Sequence, residues 1–283
     1  MRILIIGSNG MLGRDLVTDW TGDELIPATS RDADIRELGQ VRDLAAREHP
    51  DWIILTAGYT DVDGSERDRD LAFAVNHDGT RNVSVVAREL GAKLCYLSTD
   101  YVFDGAANRP YEPEEAVHPL NVYGASKAAG ERAVQEEAGR WLIIRTSWLF
   151  GAARVSFPEK ILQAADSQPQ LKVVADQIGS PTYTKDLARA IRELVLSDAQ
   201  GILNITNSGT CSWFELARET LRRAGRSTLV SPITAAEAGR PARRPAYSVL
   251  SPKALASHGI ALRSWQEALQ AYLVDLRRKG KLH

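Results

Sequence analysis

Hydrophobic and polar residues follow a repeating order along the first 150 positions, with short apolar runs between segments of helical period. The first run, at 3–6, is β-branched and directly followed by glycine, which favours a strand buried on both faces of a parallel sheet. The pattern predicts strands at 3–6, 24–29, 52–55, 93–97 and 141–145, and helices that begin at Met11 and span 38–48, 71–90 and 123–137. This succession predicts an α/β fold of the Rossmann type, a doubly wound parallel sheet with right-handed crossovers.

The pattern becomes less regular after about residue 150. It predicts helices at 157–165, 186–196, 212–224 and 264–277, and strands at 171–175 and 202–205. Ser212 with Glu215, and Ser264 with Glu267, have the spacing of capping boxes at helix N-termini. Four prolines and little periodicity predict a loop over 230–253.

These two patterns suggest a division of the chain into unequal parts. We expect a dinucleotide-binding domain over 1–150, to which a segment at about 176–205 returns. The remaining residues, 151–175 and 206–283, are expected to form a smaller, interleaved α/β lobe that binds the substrate.

Composition narrows the class of partner and the compartment. The 283-residue chain has 35 Lys and Arg against 36 Asp and Glu, so it has no global field for nucleic acid or an anionic membrane. Two cysteines, Cys95 and Cys211, are too few for a disulfide framework and fit a reducing compartment. No apolar run approaches the ~18 residues of a membrane helix, and the run after Arg2 is too short for a secretory signal. We therefore expect a soluble cytoplasmic enzyme.

A glycine-rich turn follows the first predicted strand and opens the first predicted helix. Gly7, Gly10 and Gly13 have a spacing in which one glycine allows a tight turn, one admits a phosphate and one lets helix pack on strand. Unpaired N–H groups at the helix N-terminus favour an anion. We expect this loop, Asn9 included, to bind the diphosphate of a dinucleotide. A purely structural turn is the alternative.

The residues after the second strand bear on which dinucleotide binds. The acidic residue expected at the strand tip of an NAD-binding chain is missing. Arg31 lies close to that tip, where a guanidinium would suit a 2′-phosphate, and Asp34 follows where it could meet the ribose or adenine. The pattern favours NADPH and leaves NADH open. A solvated surface role for Arg31 is equally compatible with it.

Hydroxyl and ionisable side chains gather around the fourth strand and the helix after it. Thr99 and Asp100 end that strand, and ligands of open parallel sheets bind outside the carboxyl ends of strands. Tyr123 and Lys127 share one helix face at i and i+4. A lysine ammonium beside a phenol lowers the phenol pKa, which makes tyrosine a usable general acid and base. These residues predict a catalytic site.

Several further motifs carry a resemblance to a known family. They lie at 57–63, 98–105, 119–131, 145–151, 176–182 and 240–250, so with the glycine loop they extend over nearly the whole chain. The chain resembles the extended short-chain dehydrogenase/reductase superfamily and, within it, the dTDP-4-dehydrorhamnose reductase family. The segments 99–103 and 176–182 are similar to that family in particular.

The resemblance implies reduction of the C4 ketone of dTDP-4-dehydro-L-rhamnose to dTDP-L-rhamnose, a step of cell-surface polysaccharide biosynthesis. It implies that Tyr123 protonates the new alkoxide, that Lys127 lowers the pKa of Tyr123 and contacts the nicotinamide ribose, and that Thr99 hydrogen-bonds near the carbonyl. Asp100, Tyr123 and Trp148 match residues that contact the sugar nucleotide. The family's cofactor-contacting positions match Gly10, Met11, Leu12, Asp34, Ile35, Ala57, Gly58 and Tyr59.

Some features depart from the family pattern or leave it open. Ser156 stands where many relatives have asparagine, which puts one substrate contact in doubt. Some relatives are homodimers with Mg²⁺ between subunits. Asp15 is the only acidic candidate for such a ligand here, so we name no metal ligand and leave magnesium and a homodimer open. The arginines of 240–244 either hold the substrate diphosphate or lie in solvent.

Three other functions fit part of the pattern. The first is a nucleotide-sugar dehydratase or epimerase: a 4,6-dehydratase would have glutamate at the position of Tyr101, and both kinds of enzyme tend to have a larger substrate lobe. A reductase of another dTDP-4-keto-deoxysugar would differ by only one or two contacts. A non-catalytic nucleotide-binding subunit, similar to the regulatory β subunit of methionine adenosyltransferase, would keep the nucleotide site without the reaction.

Overall fold

The computed structural model describes residues 1–282, and most of its strands coincide with the apolar runs of the sequence. The strands are β1 (Arg2–Ile6), β2 (Glu24–Ala28), β3 (Trp52–Leu55), β4 (Lys93–Thr99), β5 (Arg140–Thr146), β6 (Leu149–Phe150), β7 (Gln170–Val174), β8 (Ile178–Gly179), β9 (Thr182–Tyr183), β10 (Gly201–Asn204), β11 (Cys211–Ser212) and β12 (Leu229–Ile233). The two cysteines are free and buried, in agreement with the absence of a disulfide framework.

Helices connect these strands. They are α1 (Met11–Asp19), α2 (Leu38–Glu48), α3 (Val62–Arg67), α4 (Arg69–Phe73), α5 (Thr80–Leu90), α6 (Val122–Glu137), α7 (Phe157–Ala165), α8 (Thr184–Leu196), α9 (Trp213–Arg223), α10 (Ala235–Ala238), α11 (Lys253–Ala256) and α12 (Trp265–Arg278). A π-helical segment, Ala74–Gly79, joins α4 to α5, and a 3₁₀ turn, Asp100–Val102, follows β4. Both predicted capping boxes are present, at the starts of α9 and α12. Within residues 1–282, no helix is long and apolar enough to cross a membrane.

The central sheet has six strands in the order β10-β5-β4-β3-β1-β2, and all its pairings are parallel. Successive side chains of a strand point to opposite faces. Ile3 and Ile5 therefore pack in one hydrophobic cluster with α1 and α8, whereas Leu4 and Ile6 pack in another with α2, α5 and α6. Helices on both faces of a parallel sheet confirm the predicted doubly wound fold.

A third hydrophobic cluster lies outside the sheet and joins α7, α9 and α12 to the parallel pair β7 and β12. Strand β10 pairs with β5, and α8 packs on α1, so this part of the second half returns to the sheet. Leu255 and Ile260 also pack in the cluster of α1 and α8. The division into a dinucleotide-binding domain and a substrate-binding lobe stays a prediction.

Two predicted elements differ from the observed ones. The helix predicted over 71–90 begins at Arg69 and is interrupted by the π-helical segment, where the buried Asn76 bonds to Tyr59 and Ser126. The loop predicted over 230–253 contains β12, α10 and the start of α11. Pro232 is tolerated in β12 because this strand pairs with β7 on one side only.

Candidate active site

A cavity of about 720 Å³ lies at the carboxyl ends of β1, β3, β4 and β5. Crevices at this edge are where open α/β sheets bind ligands. Most of the predicted site residues share this one cavity. Those that line it are Gly7, Asn9, Gly10, Met11, Leu12, Gly13, Asp34, Ile35, Ala57, Gly58, Thr99, Asp100, Tyr123, Lys127 and Trp148.

The glycine loop at one end of the cavity cannot carry side chains at two of its positions. Gly7 has φ +92°, and a Cβ there would lie 2.5 Å from the Ala57 nitrogen. A Cβ at Gly13 would lie 2.3 Å from the Gly7 carbonyl oxygen, so only glycine lets α1 approach β1 this closely. Gly10 caps α1 without a side-chain hydrogen bond, and the first turn of α1 has no acidic residue. This cradle of backbone N–H groups fits a dinucleotide diphosphate.

The two predicted cofactor residues Arg31 and Tyr59 do not line the cavity. Arg31 is exposed, and in the tight turn beside it the Asp32 carboxylate accepts hydrogen bonds from the Thr29 N–H and hydroxyl. The contact of Arg31 with a 2′-phosphate stays a prediction. Arg36 lines the cavity instead and pairs with Asp34, whose Oδ1 lies 3.0 Å from the Arg36 Nε. Arg36 is not among the predicted residues, although its spacing of two from Asp34 could have suggested it.

The loop that contains Tyr59 is held by Asn76, which no motif of the sequence predicts as a site residue. Asn76, buried in the π-helical segment, accepts a hydrogen bond from the Tyr59 N–H at 2.9 Å and donates one to the Tyr59 carbonyl at 3.0 Å. It also donates to the Ser126 hydroxyl at 2.9 Å, and that hydroxyl donates to the Tyr123 carbonyl. Asn76 thus connects the loop after β3 to the first turn of α6.

Tyr123 and Lys127 lie on α6, whose N-terminus is capped by Asn121. Burial raises the pKa of Tyr123 to about 12, while Thr99 acts to lower that pKa and Asp100 to raise it. Burial lowers the pKa of Lys127 to about 7 against the opposing effect of Glu131, and its ammonium lies 4.1 Å from the centroid of the Tyr96 ring. The effect of Lys127 on the phenol, which the sequence predicts to lower the pKa of Tyr123, stays a prediction.

Thr99 and Asp100 form a linked pair at the end of β4. The Thr99 hydroxyl donates to Asp100 Oδ1 at 3.0 Å and accepts from the Tyr101 N–H at 3.2 Å. Asp100 is only 2% exposed, and its Oδ2 has no hydrogen-bond partner within the described chain. Burial raises the pKa of Asp100 to about 7. The cavity thus has a carboxyl group that changes charge near neutral pH.

A buried ion pair supports this strand end from behind. Arg145 of β5 binds Glu131 of α6 through two nitrogens, Nε at 2.9 Å and Nη2 at 2.7 Å. The Ser98 hydroxyl donates to the same carboxylate. Such a pair is worth little for net stability but fixes geometry when all its groups are bonded. It holds β4, β5 and α6 together beneath Thr99 and Lys127.

The resemblance left open whether Ser156, Asp15 and Arg244 bind substrate or metal, and none of the three lines the cavity. The Ser156 hydroxyl is buried against the Tyr272 hydroxyl at 3.1 Å. The Asp15 carboxylate accepts a hydrogen bond from Thr184, and its pKa is raised by burial. Arg244 pairs with Asp63 through both Nη atoms at 3.0 Å. Between positions 1 and 282, no three His, Cys, Asp or Glu side chains are grouped as metal ligands would be.

Comparison with known proteins identifies the family. The model of the RmlD substrate binding domain matches residues 1–278. A dTDP-4-dehydrorhamnose reductase of Streptomyces griseus is 39% identical over 280 residues, which cover 95% of this chain and 91% of the relative. A dTDP-4-keto-6-deoxy-D-glucose reductase of Streptomyces niveus is 37% identical over 275 residues, which cover 95% of each chain.

A solved structure agrees with these relatives. The crystal structure of dTDP-4-dehydrorhamnose reductase from Bacillus anthracis str. Ames, in complex with NADP, superposes with a TM-score of 0.95 at 38% identity. The match covers 97% of this chain and 99% of that one. The predicted family is therefore confirmed: the chain belongs to the RmlD substrate-binding-domain family, the family of the dTDP-4-dehydrorhamnose reductases.

Proposed function

We propose that the protein reduces the C4 ketone of dTDP-4-dehydro-L-rhamnose to dTDP-L-rhamnose, with NADPH as the preferred reductant. The observation that carries this proposal is the single cavity that brings the glycine loop together with Tyr123, Lys127 and Thr99. The names of the relatives in Streptomyces griseus and Bacillus anthracis support the same reaction. Cytoplasmic location and a homodimer stay predictions, and the proposal assigns no role to Mg²⁺.

The residues present fit a nicotinamide dinucleotide. Gly7, Gly10 and Gly13 offer backbone N–H groups for its diphosphate, in a cradle that a Cβ would fill. Asp34 and Arg36 stand at the end of the cavity next to β2, where adenine-ribose contacts are expected. Arg36 supports a preference for NADPH, since a guanidinium suits the 2′-phosphate.

The chain's own groups hold and move one proton in this reaction. NADPH, when bound, supplies the hydride for the C4 carbon. Tyr123 keeps its phenolic proton at neutral pH because burial raises its pKa to about 12, and it donates that proton to the oxygen at C4. The Thr99 hydroxyl acts on the same phenol and orients it. Charged Lys127 stabilises the phenolate that remains, until solvent returns the proton.

The substrate side of the cavity begins at β4 and β5. Asp100, with a buried oxygen that lacks a partner in residues 1–282, is proposed to bind a sugar hydroxyl. Trp148, which follows β5 on the cavity wall, is proposed to lie against the sugar. Reduction of a different dTDP-4-keto-6-deoxysugar is the second candidate, and the name of the Streptomyces niveus relative favours it.

Substrate-dependent oxidation of NADPH tests the proposal. We expect turnover of dTDP-4-dehydro-L-rhamnose to dTDP-L-rhamnose, identified by NMR, and slower turnover with NADH. Tyr123→Phe should lower kcat by about 10²–10⁴-fold, since it removes the general acid, with little change in the Kd of NADPH. Tyr247→Phe, outside the cavity wall, is the matched control.

Two outcomes would replace the proposal. Faster turnover of another dTDP-4-keto-deoxysugar would favour the second candidate. A wild-type protein that binds NADPH but reduces none of these sugars would favour a non-catalytic nucleotide-binding subunit. Co-purification with a second chain would then support that function.

A further inference from the structure

We propose that Trp213 and Gly179 are positioning residues that hold the indole of Trp148 against the substrate, and that they set substrate affinity without changing cofactor affinity. The inference rests on the proposed function and on Trp148 as the sugar-contacting residue. It is carried by the backbone of Trp148 and by the contacts of its indole.

Trp148 has a strained backbone. Its φ of +48° is in the left-handed region, which a bulky residue rarely occupies. The residue follows β5, whose last residue, Thr146, pairs in register with Thr99. Strain of this kind persists only where the surroundings determine the conformation. The contacts of the indole must therefore supply that restraint.

Gly179 restrains the indole from one direction. An ideal Cβ at this glycine would lie 2.5 Å from Cε2 and 2.8 Å from Nε1 of Trp148, distances that real Cβ atoms do not adopt. The φ of Gly179 is not in the positive region, so its backbone does not itself demand glycine. The absence of a side chain at this position serves the close approach of the indole.

Trp213 restrains the indole from another element. The two indole rings are nearly parallel, at 8°, with centroids 3.6 Å apart. Aromatic pairs usually prefer an offset stack or an edge-to-face arrangement, so this nearly eclipsed stack is imposed by the elements that carry the rings. Trp213 begins α9, whose N-terminus is fixed by the Ser212–Glu215 capping box. The ring of Phe157 in α7 packs on the Trp213 indole, with the ring centroids 4.6 Å apart.

Both tryptophans line the cavity and both are half-buried, so their stack presents indole surface to the substrate side. The stack couples α7 and α9 of the second half to the end of β5, which pairs with the end of β4 where Thr99 lies. The glycine loop belongs to β1, and β3 and β4 stand between it and β5 in the sheet. A change in the stack should therefore affect the sugar rather than the dinucleotide diphosphate.

Two independent variants disturb the same indole. Trp213→Leu removes the stacking partner, and Gly179→Ala inserts a methyl group where the indole lies. We expect each to raise the KM of the dTDP-sugar about tenfold, with kcat and the Kd of NADPH within about threefold. Circular dichroism reports the stack directly, because two stacked indoles give an exciton couplet. Both variants should lose that couplet, and Trp213→Phe should keep most of the affinity.

Matched controls separate these effects from general damage. Trp141→Phe removes an indole at the start of β5, and Gly39→Ala adds a Cβ with no atom within 4 Å. Neither should alter the couplet or the KM. Loss of the couplet with an unchanged KM would overturn the proposal, as would an equal loss of affinity for NADPH. If the wild-type enzyme reduces no dTDP-4-keto sugar, the proposed function itself has failed.

Discussion

At the scale of single residues, Asp100 combines burial with ionisation. Its pKa in the folded protein is about 7, against 3.8 for a free carboxyl, because burial disfavours the charged form. The folded protein therefore binds one more proton than the unfolded chain between these pH values, and it loses stability as the pH rises from about 4 to 7. Asp100→Asn removes this charge and should be more stable than the wild type at pH 8, by as much as about 4 kcal/mol.

Urea unfolding at pH 5 and pH 8 measures this difference. The gain from Asp100→Asn should be about 2.5 kcal/mol smaller at pH 5 than at pH 8, because only about a third of the wild-type loss between the unfolded and folded pKa values has occurred by pH 5. Asp43→Asn on the exposed side of α2 is the control and should change little at either pH. An equal gain at both pH values would show that Asp100 does not ionise within this range.

Residue types at the site could be predicted from spacing, but their exact surroundings could not. Thr99, Tyr123 and Lys127 lie on one cavity wall as the motifs predicted. The direction of the Tyr123 pKa depends on how much protein covers the phenol, which no local motif records. Arg31 lies near the tip of β2 but is exposed and does not line the cavity, so its contact with a 2′-phosphate stays a prediction.

At the scale of elements, the approach of α6 to the π-helical segment depends on Gly130. A Cβ there would lie 2.3 Å from the Asn76 carbonyl oxygen and 2.3 Å from the Tyr96 hydroxyl. Gly130→Ala should therefore destabilise the protein by about 2 kcal/mol or more, since neither neighbour can move without displacing a helix or a buried ring. Gly39→Ala on α2 meets no atom within 4 Å and should stabilise by about 0.5–1 kcal/mol.

Thermal unfolding of the two variants distinguishes packing from helix propensity. If propensity alone mattered, both alanines would raise Tm, because both glycines lie within helices. Opposite signs would confirm that Gly130 is required by close contact. A Gly130→Ala protein as stable as the wild type would mean that α6 can move away from Asn76.

The sequence predicted elements well where an apolar run is short and continuous, as in β1 and β3, or where one helix face is apolar and regular, as in α2 and α7. The sequence could not predict the π-helical segment. This segment is only six residues long, so its wider turn hardly alters the hydrophobic period of the helix predicted over 71–90. The cause lies in Asn76, whose partners come from residues 59 and 126. Strand β12 was missed because its proline signals a loop, whereas the edge of a two-stranded sheet accepts one.

At the scale of the whole molecule, the segment 240–251 joins the two halves of the chain. The Asn121 side chain donates to the Arg243 carbonyl at 2.8 Å, and the Tyr111 N–H donates to the Val249 carbonyl at 2.9 Å. The Ile178 N–H of β8 donates to the Ala246 carbonyl at 2.8 Å, and the Ser248 N–H donates to the Ile178 carbonyl at 2.9 Å. Backbone and side-chain hydrogen bonds thus tie this segment to residues on both sides of position 150.

The ion pair of Arg244 with Asp63 is the side-chain anchor of this segment. Asp63 also accepts the Ala242 N–H at 3.2 Å, and both side chains of the pair are less than a fifth exposed. Asp63→Asn should destabilise the protein by about 2 kcal/mol at pH 7, since it leaves a partly buried guanidinium without its counter-charge.

The pH dependence of this loss follows from the pKa of Asp63, which Arg244 lowers below its usual value. The contribution of the carboxylate is present above the unfolded pKa of about 3.9 and disappears as the pH falls through the lower folded value. Urea unfolding should therefore show a difference between Asp63→Asn and wild type at pH 7 that shrinks towards pH 3.

Limited proteolysis at pH 7 should cut the Asp63→Asn variant faster within 240–246. Glu89→Gln, which breaks the exposed pair with Arg42, should change the free energy of unfolding much less and leave that cleavage unchanged. Equal losses for the two variants would show that the segment is held by its backbone hydrogen bonds alone.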